Sequence, residues 1–419
     1  MTALLPQLWP RYMAYAARRE AMRIWLPHLR NEEKQPLTVF DPSLYAFNGH
    51  HMEFAQMIKE ECGSEFDVSF YGNFQAETKV VWSLPAQPIC HNGIYPPPGD
   101  FDDLYKTLTA STIKALNRID RRDAGPDAIL IMHTVTVYQL GGLAEWFSTL
   151  PKPRRPKLCM QFQFPLEFRL SKDVSVRERA VRLARAAAGT IMSTGRARLA
   201  SNSELLADEI SKQLQQPCAV LPLPTRWPDF NQNVPPDPGV VFGFFGSLRP
   251  EKGASIIAEA VPAFAARYPD TRFLVHAAGS DSDPSAIRAL AAVRQVELIY
   301  DNFARKADYF KQFMRASCIL LPYDPIEYAY RTSGILIEAL GLDRLIITTN
   351  NSWLCTEAKR LKGKVIPMAN FTPAALLSSL REARDYLISR SFEPKINRDI
   401  IAKNSPAAFC SALLALADK

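Results

Sequence analysis

Leu321-Pro-Tyr-Asp-Pro-Ile-Glu-Tyr-Ala-Tyr-Arg-Thr-Ser-Gly-Ile-Leu-Ile-Glu-Ala-Leu-Gly341 is the stretch whose reading decides the fold. It reads as the end of a buried strand, an aromatic loop, then a helix. The strand is Cys318-Ile-Leu-Leu321, a short apolar run stopped by Pro322, which has no N–H to give to a sheet. The loop carries Tyr323, Tyr328, Tyr330 and Arg331. The helix starts near Thr332-Ser333-Gly334, with Ser333 as the expected N-cap and Gly334 letting a ligand come close to the backbone. The first amides of such a helix have no partner within it, and its dipole adds positive charge there, which suits phosphate. Glu338 follows Gly334 by one turn on the same face, and helical side chains lean toward the N-terminus. A carboxylate there reaches back toward sugar hydroxyls. The competing reading is an ordinary capping sequence followed by a solvated glutamate.

Outward from this stretch, the pattern repeats along the chain. Strand-like runs at 36–40, 66–71, 127–132, 158–164, 189–192, 197–201 and 219–221 alternate with helical spacing at 52–62, 101–122, 174–188 and 205–214. A Pro-crowded polar segment follows, with Pro222, Pro224, Pro228, Pro235, Pro236 and Pro238. It reads as a stiff linker. A second alternating series opens at 240–245. Strands are expected at 272–276, 296–300, 318–321, 345–348 and 364–367, helices at 254–268, 284–293 and 306–316, and two helices at the end. Strands separated by helices of this length imply parallel sheets covered on both faces. The expected fold class is therefore α/β, with two Rossmann-like doubly wound domains facing a cleft. The expected divisions are 1–36, 37–222, 223–239, 240–395 and 396–419, the last a helix returning to the first domain. Ligands of such sheets bind at the carboxyl ends of the strands, here in the cleft between the two domains.

The second informative stretch is Phe244-Phe-Gly-Ser-Leu-Arg-Pro-Glu-Lys-Gly253. A strand ends at Gly246, a tight loop follows, and a helix starts near Gly253. Arg249 and Lys252 then project from the same sheet edge as the helix start at 332–334. Two cations and one helix N-terminus together suit a diphosphate, because charge-assisted bonds to phosphate are strong and Arg binds it bidentately. Taken singly, each loop is only a charged turn.

Composition narrows the classes. The chain has 419 residues, enough for two domains. Its seven cysteines are scattered and form no C-x-x-C pair, which excludes a zinc finger and a disulfide framework and favours a reducing compartment. No apolar run has the length of a membrane helix, and Pro6 and Pro10 interrupt the N-terminus where a secretory signal would lie. The expected compartment is the cytoplasm. Net charge is +7. Between Lys152 and Arg198, twelve Lys or Arg face Glu167, Asp173 and Glu178, an excess of nine that fits either an anionic surface or substrate or a solvated helix face. No nucleic-acid motif accompanies it. The first 36 residues mix Trp9, Tyr12, Tyr15 and Trp25 with arginines. They read either as an interfacial helix at an anionic membrane or as a helix packed on its own domain or a partner.

The second half resembles the retaining GT-B glycosyltransferases of group 1, the GT4 family. The matching residues are Gly246-Ser-Leu-Arg-Pro-Glu-Lys-Gly253, Ala316-Ser-Cys-Ile-Leu-Leu-Pro-Tyr323 and Arg331-Thr-Ser-Gly-Ile-Leu-Ile-Glu-Ala-Leu-Gly341. The resemblance implies Lys252 at the donor phosphates and the amides of Ser333, Gly334 and Ile335 around the donor. It places Glu338 on the ribose and Gly49 in the acceptor-side loop. Gly246, Ser247, Tyr330 and Arg331 line the same donor loops. Three positions depart from the family. Tyr330 stands eight residues before Glu338 where a first glutamate is usual, and Glu327 lies three residues earlier. Ser247 follows the glycine where an arginine is usual, with Arg249 as the substitute. In the first domain the comparable strand ends in Gln161-Phe-Gln163, and the nearest histidine is His133.

The implied activity is transfer of a hexose from a nucleotide-diphosphate sugar to an acceptor hydroxyl, with retention, in polysaccharide or glycolipid assembly. The donor is a substrate; no cofactor and no metal are implied. A glycan or lipid-linked acceptor and contact with the inner face of a membrane are the expected partners, and nucleic acid is not. The alternative is a non-catalytic nucleotide-sugar-binding scaffold or sensor of the same fold; a GT-B epimerase or phosphorylase is the further rival. Arg249, Lys252 and His133 are the catalytic candidates, His133 being at a strand end where a satisfied buried histidine is the competing reading; Gly49 and His50 are the acceptor-side candidates. His50 and His51 beside Gly49 suit an acceptor phosphate, and as a pair they offer too few ligands for a metal. Asp281-Ser-Asp283 has the look of a metal-binding D-x-D, but Asp283 before Pro284 is expected to cap a helix.

Overall fold

A computed structural model describes residues 31–419 except 32, 47–48, 78–79, 81–82, 85, 229–235, 280, 302, 304 and 390–392. The aromatic-basic N-terminal segment expected over 1–36 lies almost wholly outside the described residues. The chain divides into two compact units. One holds the described residues of Met1–Leu221 with Cys410–Lys419, the other those of Pro222–Phe409.

The first unit is built on β1 (Gln35–Phe40), β2 (Phe66–Asn73), β3 (Gln87–Cys90), β4 (Ile129–Met132), β5 (Lys157–Phe162), β6 (Ala197–Ser201) and β7 (Cys218–Val220). All pairings are parallel, in the order β3-β2-β1-β4-β5-β6-β7. Its helices are α1 (His50–Cys62), α2 (Phe101–Leu116), α3 (Val137–Thr149), α4 (Val174–Met192) and α5 (Glu204–Leu214). The central strands are continuously apolar because both faces are covered; β4, Ile-Leu-Ile-Met, is buried at every residue.

The second unit contains β8 (Val241–Phe244), β9 (Arg272–His276), β10 (Val296–Ile299), β11 (Cys318–Leu321), β12 (Leu345–Thr349) and β13 (Val365–Met368). They run parallel in the order β10-β9-β8-β11-β12-β13. The helices are α6 (Ala254–Arg267), α7 (Pro284–Ala291), α8 (Lys306–Arg315), α9 (Gly334–Gly341), α10 (Trp353–Arg360), α11 (Pro373–Ser389), α12 (Arg398–Lys403) and α13 (Pro406–Asp418). The partition between the units falls inside α13. Each sheet is doubly wound, and strand order reverses between β1 and β4 in one unit and between β8 and β11 in the other. These reversals are where such folds hold ligands.

Four local expectations change. Residues 189–192 are the last turn of α4, not a strand: Ile191 continues the buried stripe of Ala180, Ala184, Ala187 and Ala188. Helix α3, which carries Gly141-Gly142, lies where no element was expected. In the fold these glycines let α3 lie close on α2; a Cβ on Gly142 would stand 2.7 Å from Thr112 Cβ. Strand β3 carries Pro88 and sits at the sheet edge, where a missing N–H is tolerated. Three helices rather than two follow β13.

The start of the proline-rich segment is tied to the second unit. Thr225 N–H donates to Asn404 O at 2.8 Å, and the Trp227 ring lies 5.6 Å from that of Phe310. Asp283 caps α7, accepting from Ser285 N–H at 2.8 Å. The two Asp of the D-x-D thus divide: one caps, and Asp281 lies 3.6 Å from the Arg249 guanidinium.

Candidate functional site

In the second unit, the loops leaving β8 and β11 begin on neighbouring strands, because Cys318 pairs with Phe242 and Ile319 with Gly243. The β8 loop turns at Gly246, whose φ of 102° favours glycine. It then forms a 3-10 turn, Pro250–Lys252, and ends at Gly253, also left-handed at φ 81°. Glu251 O of this turn accepts from Asp324 N–H of the β11 loop at 2.9 Å. The two loops are therefore hydrogen-bonded to each other.

Their functional groups meet at Gly246. A Cβ placed there would stand 3.1 Å from Lys252 Nζ and 3.2 Å from Ile335 Cδ1. Ile335 lies in the first turn of α9, so the ammonium, the glycine and the start of that helix share one spot. Gly334, the first residue of α9, faces open space: among the described residues nothing lies within 4 Å of where its Cβ would be. Ser333 stands at the N-cap position, but its side chain makes no cap bond, which corrects the expectation.

The charges are mutually adjusted. Lys252 Nζ lies 5.6 Å from the Tyr323 ring centre. Desolvation by burial, then the neighbouring Arg249, push the Lys252 ammonium down to about 8, while Glu251 and Asp281 pull the other way. Arg331, from the later loop, also bears on it. Arg249 is itself held by Glu251, at 3.2 Å, and by Asp281. The Arg331 guanidinium lies 4.6 Å from the Tyr328 ring centre and 3.7 Å from Glu327. Glu327 is thus spent on Arg331. Tyr330 is half-buried in the same loop. Ser247 Oγ faces the exit of β9, where a Cβ on Gly279 would come within 2.9 Å of it.

Glu338 is 4 % exposed, so the solvated-glutamate alternative is excluded. Its carboxylate is met from α8: Tyr309 donates to Oε2 at 2.6 Å and Lys306 Nζ stands 2.9 Å from Oε1. Neither partner was apparent in the sequence, because their helix has no motif of its own. His276 was also missed. It ends β9, its Nδ1 accepts from Gly246 N–H at 3.2 Å, and its Nε2 donates to Asp301 O at 2.8 Å. That pair of bonds fixes the tautomer and holds the turn at Gly246. A histidine at the end of the strand beside β8 was the available signal.

The remaining candidates lie in the first unit and gather there. Gly49 is the N-cap of α1, at φ 99°, and His50 opens that helix. His133 follows β4, on the other side of the strand reversal from β1. The structure thus yields two groups, each at the switch point of its own sheet.

No family model and no curated relative matches the sequence. Solved structures do. One is a glycosyltransferase from Rickettsia africae, at 12 % identity, TM-score 0.60, covering 92 % of this chain and 98 % of that one. Another is the lipopolysaccharide outer core galactosyltransferase WaaB, at 13 %, TM-score 0.60, covering 91 % and 99 %. A third is the trehalose 6-phosphate synthase from Burkholderia multivorans, at 8 %, TM-score 0.57, covering 92 % and 98 %. At these identities the likeness is one of architecture, and the architecture is GT-B: two parallel-sheet α/β units in one chain.

Proposed function

We propose that this protein is a glycosyltransferase that moves a hexose from a nucleotide-diphosphate sugar to an acceptor hydroxyl, with retention at the anomeric carbon. The observation that carries the reading is the meeting of Lys252 Nζ and the first turn of α9 at Gly246. As the glycosidic C–O bond breaks, the leaving diphosphate gathers negative charge. Lys252, Arg249 and the amides of Ser333, Gly334 and Ile335 stabilise that charge, which is electrostatic catalysis without a covalent nucleophile. Arg331 and Tyr330 line the donor, and Gly246 and Ser247 give it backbone room. Glu338 takes the ribose hydroxyls, with Lys306 exchanging its bond to Oε1 for the incoming sugar. Gly49, His50 and His133 form the acceptor side. The departing phosphate assists removal of the acceptor proton.

Exposed Arg177, Arg179 and Arg182 on α4 supply positive charge that suits an anionic, lipid-linked acceptor at the inner face of a membrane. Among the described residues no helix is long and apolar enough to cross a membrane.

The test is a thermal-shift panel of UDP, GDP, ADP and TDP. A ligand that binds only the native state raises the melting temperature. One diphosphate is expected to stabilise the wild type, and Lys252→Ala and Glu338→Ala to lose most of that shift. Equal shifts in all three proteins refute the site.

A further inference from the structure

The first unit carries a cluster whose third histidine, His51, and whose buried Asp41 the acceptor reading does not use. His50, His51 and His133 each bring a ring nitrogen within 4.8 Å of the others. Ring centres lie 4.0 Å apart for His50 and His51, 5.8 Å for His50 and His133, and 5.7 Å for His51 and His133. The fold assembles them. His50 and His51 open α1 after β1, and His133 leaves β4, the strand beside it.

The nitrogens are aimed and prepared. Nε2 of His50 and Nε2 of His51 converge on one oxygen, the Tyr95 hydroxyl, at 3.2 and 3.3 Å. His51 Nδ1 lies 2.6 Å from Oδ2 of Asp41, which is 2 % exposed. The carboxylate takes the Nδ1 proton bond, so the His51 lone pair sits on Nε2, the nitrogen facing the Tyr95 hydroxyl. This is the carboxylate–imidazole pairing that orients metal-bound histidines. His133 is 7 % exposed and stacked on Phe54 at 3.9 Å; among the described residues neither ring nitrogen meets a partner in good hydrogen-bond geometry, the Gln161 side chain being the polar group near it. A buried imidazole nitrogen left unmet is costly, and an ion bound at that nitrogen removes its share of the cost.

We propose that His50, His51 and His133 bind a zinc-class divalent cation, with Asp41 as the positioning residue behind His51 and an oxygen ligand in the fourth position. Three imidazoles with an open oxygen position suit zinc, at ~2.0–2.1 Å per nitrogen and roughly 3.4 Å between ligand atoms in a tetrahedron. Closing from within 4.8 Å to that spacing needs side-chain rotation within the cluster, in which His50 is the exposed member. Asp41 supplies the negative charge that favours a cation. His50 and His133 are shared with the proposed acceptor side, but the readouts need no substrate, so the two readings fail separately.

The experiment uses the full chain freed of any affinity tag. After chelation and dialysis, the protein is titrated with Zn2+ and with Co2+, and bound metal, visible d–d bands and melting temperature are recorded. One Zn2+ per chain, tetrahedral Co2+ bands and a raised melting temperature are expected. His50→Ala, at an exposed position that leaves no cavity, and His133→Asn should each weaken Zn2+ binding by more than about tenfold, and Asp41→Asn by about 10–100-fold. His91→Ala, outside the cluster, should bind as wild type. Unchanged Zn2+ affinity in His50→Ala and Asp41→Asn, or no tetrahedral Co2+ spectrum in the wild type, overturns the proposal.

Discussion

At Gly253 the backbone stands at φ 81°, and a Cβ would come 2.3 Å from Pro322 O. At Gly334 the same atom would meet nothing within 4 Å among the described residues. The two glycines therefore predict opposite outcomes. Gly253→Ala is expected to cost at least about 2 kcal/mol, measured by urea unfolding, because left-handed strain and a backbone clash add. Gly334→Ala keeps or slightly raises stability, since alanine is the better helix former by about 1 kcal/mol. Yet it should weaken the diphosphate thermal shift, because the methyl occupies the room a phosphate would use. Lys252 adds a pH signature. Its ammonium is pushed down to about 8 by burial first and Arg249 second. Diphosphate affinity should be full below that pH and fall as pH rises through it, by up to about tenfold per unit for one proton. Lys252→Ala should lack this limb of the titration. For stability the sign runs the other way. Between about 8 and the ordinary 10.5 the unfolded chain keeps a proton that the folded chain has lost, so this group's contribution rises with pH.

Helices α2 and α3 touch through glycine. A Cβ on Gly142 would stand 2.8 Å from Thr109 O as well as 2.7 Å from Thr112 Cβ, and one on Gly141 would reach 2.5 Å from the Tyr105 hydroxyl. Helix propensity favours Gly142→Ala, but the clash involves backbone and cannot be relieved by a rotamer change. A net loss of about 1–2 kcal/mol is expected in chemical denaturation. The pair α8–α9 is joined differently, through the buried Glu338 carboxylate with Tyr309 and Lys306. That junction places the first turn of α9 where the β8 loop can meet it.

Over the whole molecule, the chain returns to its first unit through the last turns of α13. Cys410, Leu413, Leu416 and Ala417 are buried, and Lys157 Nζ lies 2.6 Å from Asp418 Oδ1. Deleting residues 410–419 removes several buried apolar side chains at roughly 1.5–3 kcal/mol for each large one. Calorimetry should show the melting temperature lowered by on the order of 10 °C. Diphosphate affinity should persist, because residues 246–253 and 331–338 belong to the other unit.

Much of this was legible locally. Apolar runs such as Cys318-Ile-Leu-Leu321, and capped helices such as that after Asp283, announce themselves because strand and helix impose their own periods on neighbouring residues. The loops at Gly246 and Gly334 were recognisable as strand-to-helix turns for the same reason. Helix α3 was not, because its glycines serve contact with α2 rather than a turn, and only packing reveals that use. Nor were Tyr309, Lys306 and His276, whose partners lie on other elements. By itself the sequence determined two series of buried parallel strands and the chemistry of the loops between them. Only the tertiary structure decided which strands are neighbours. That choice sets residue 246 against residue 335, and His50 and His51 against His133. Local periodicity carries no record of strand order, because order is chosen by burial of whole faces across distant segments.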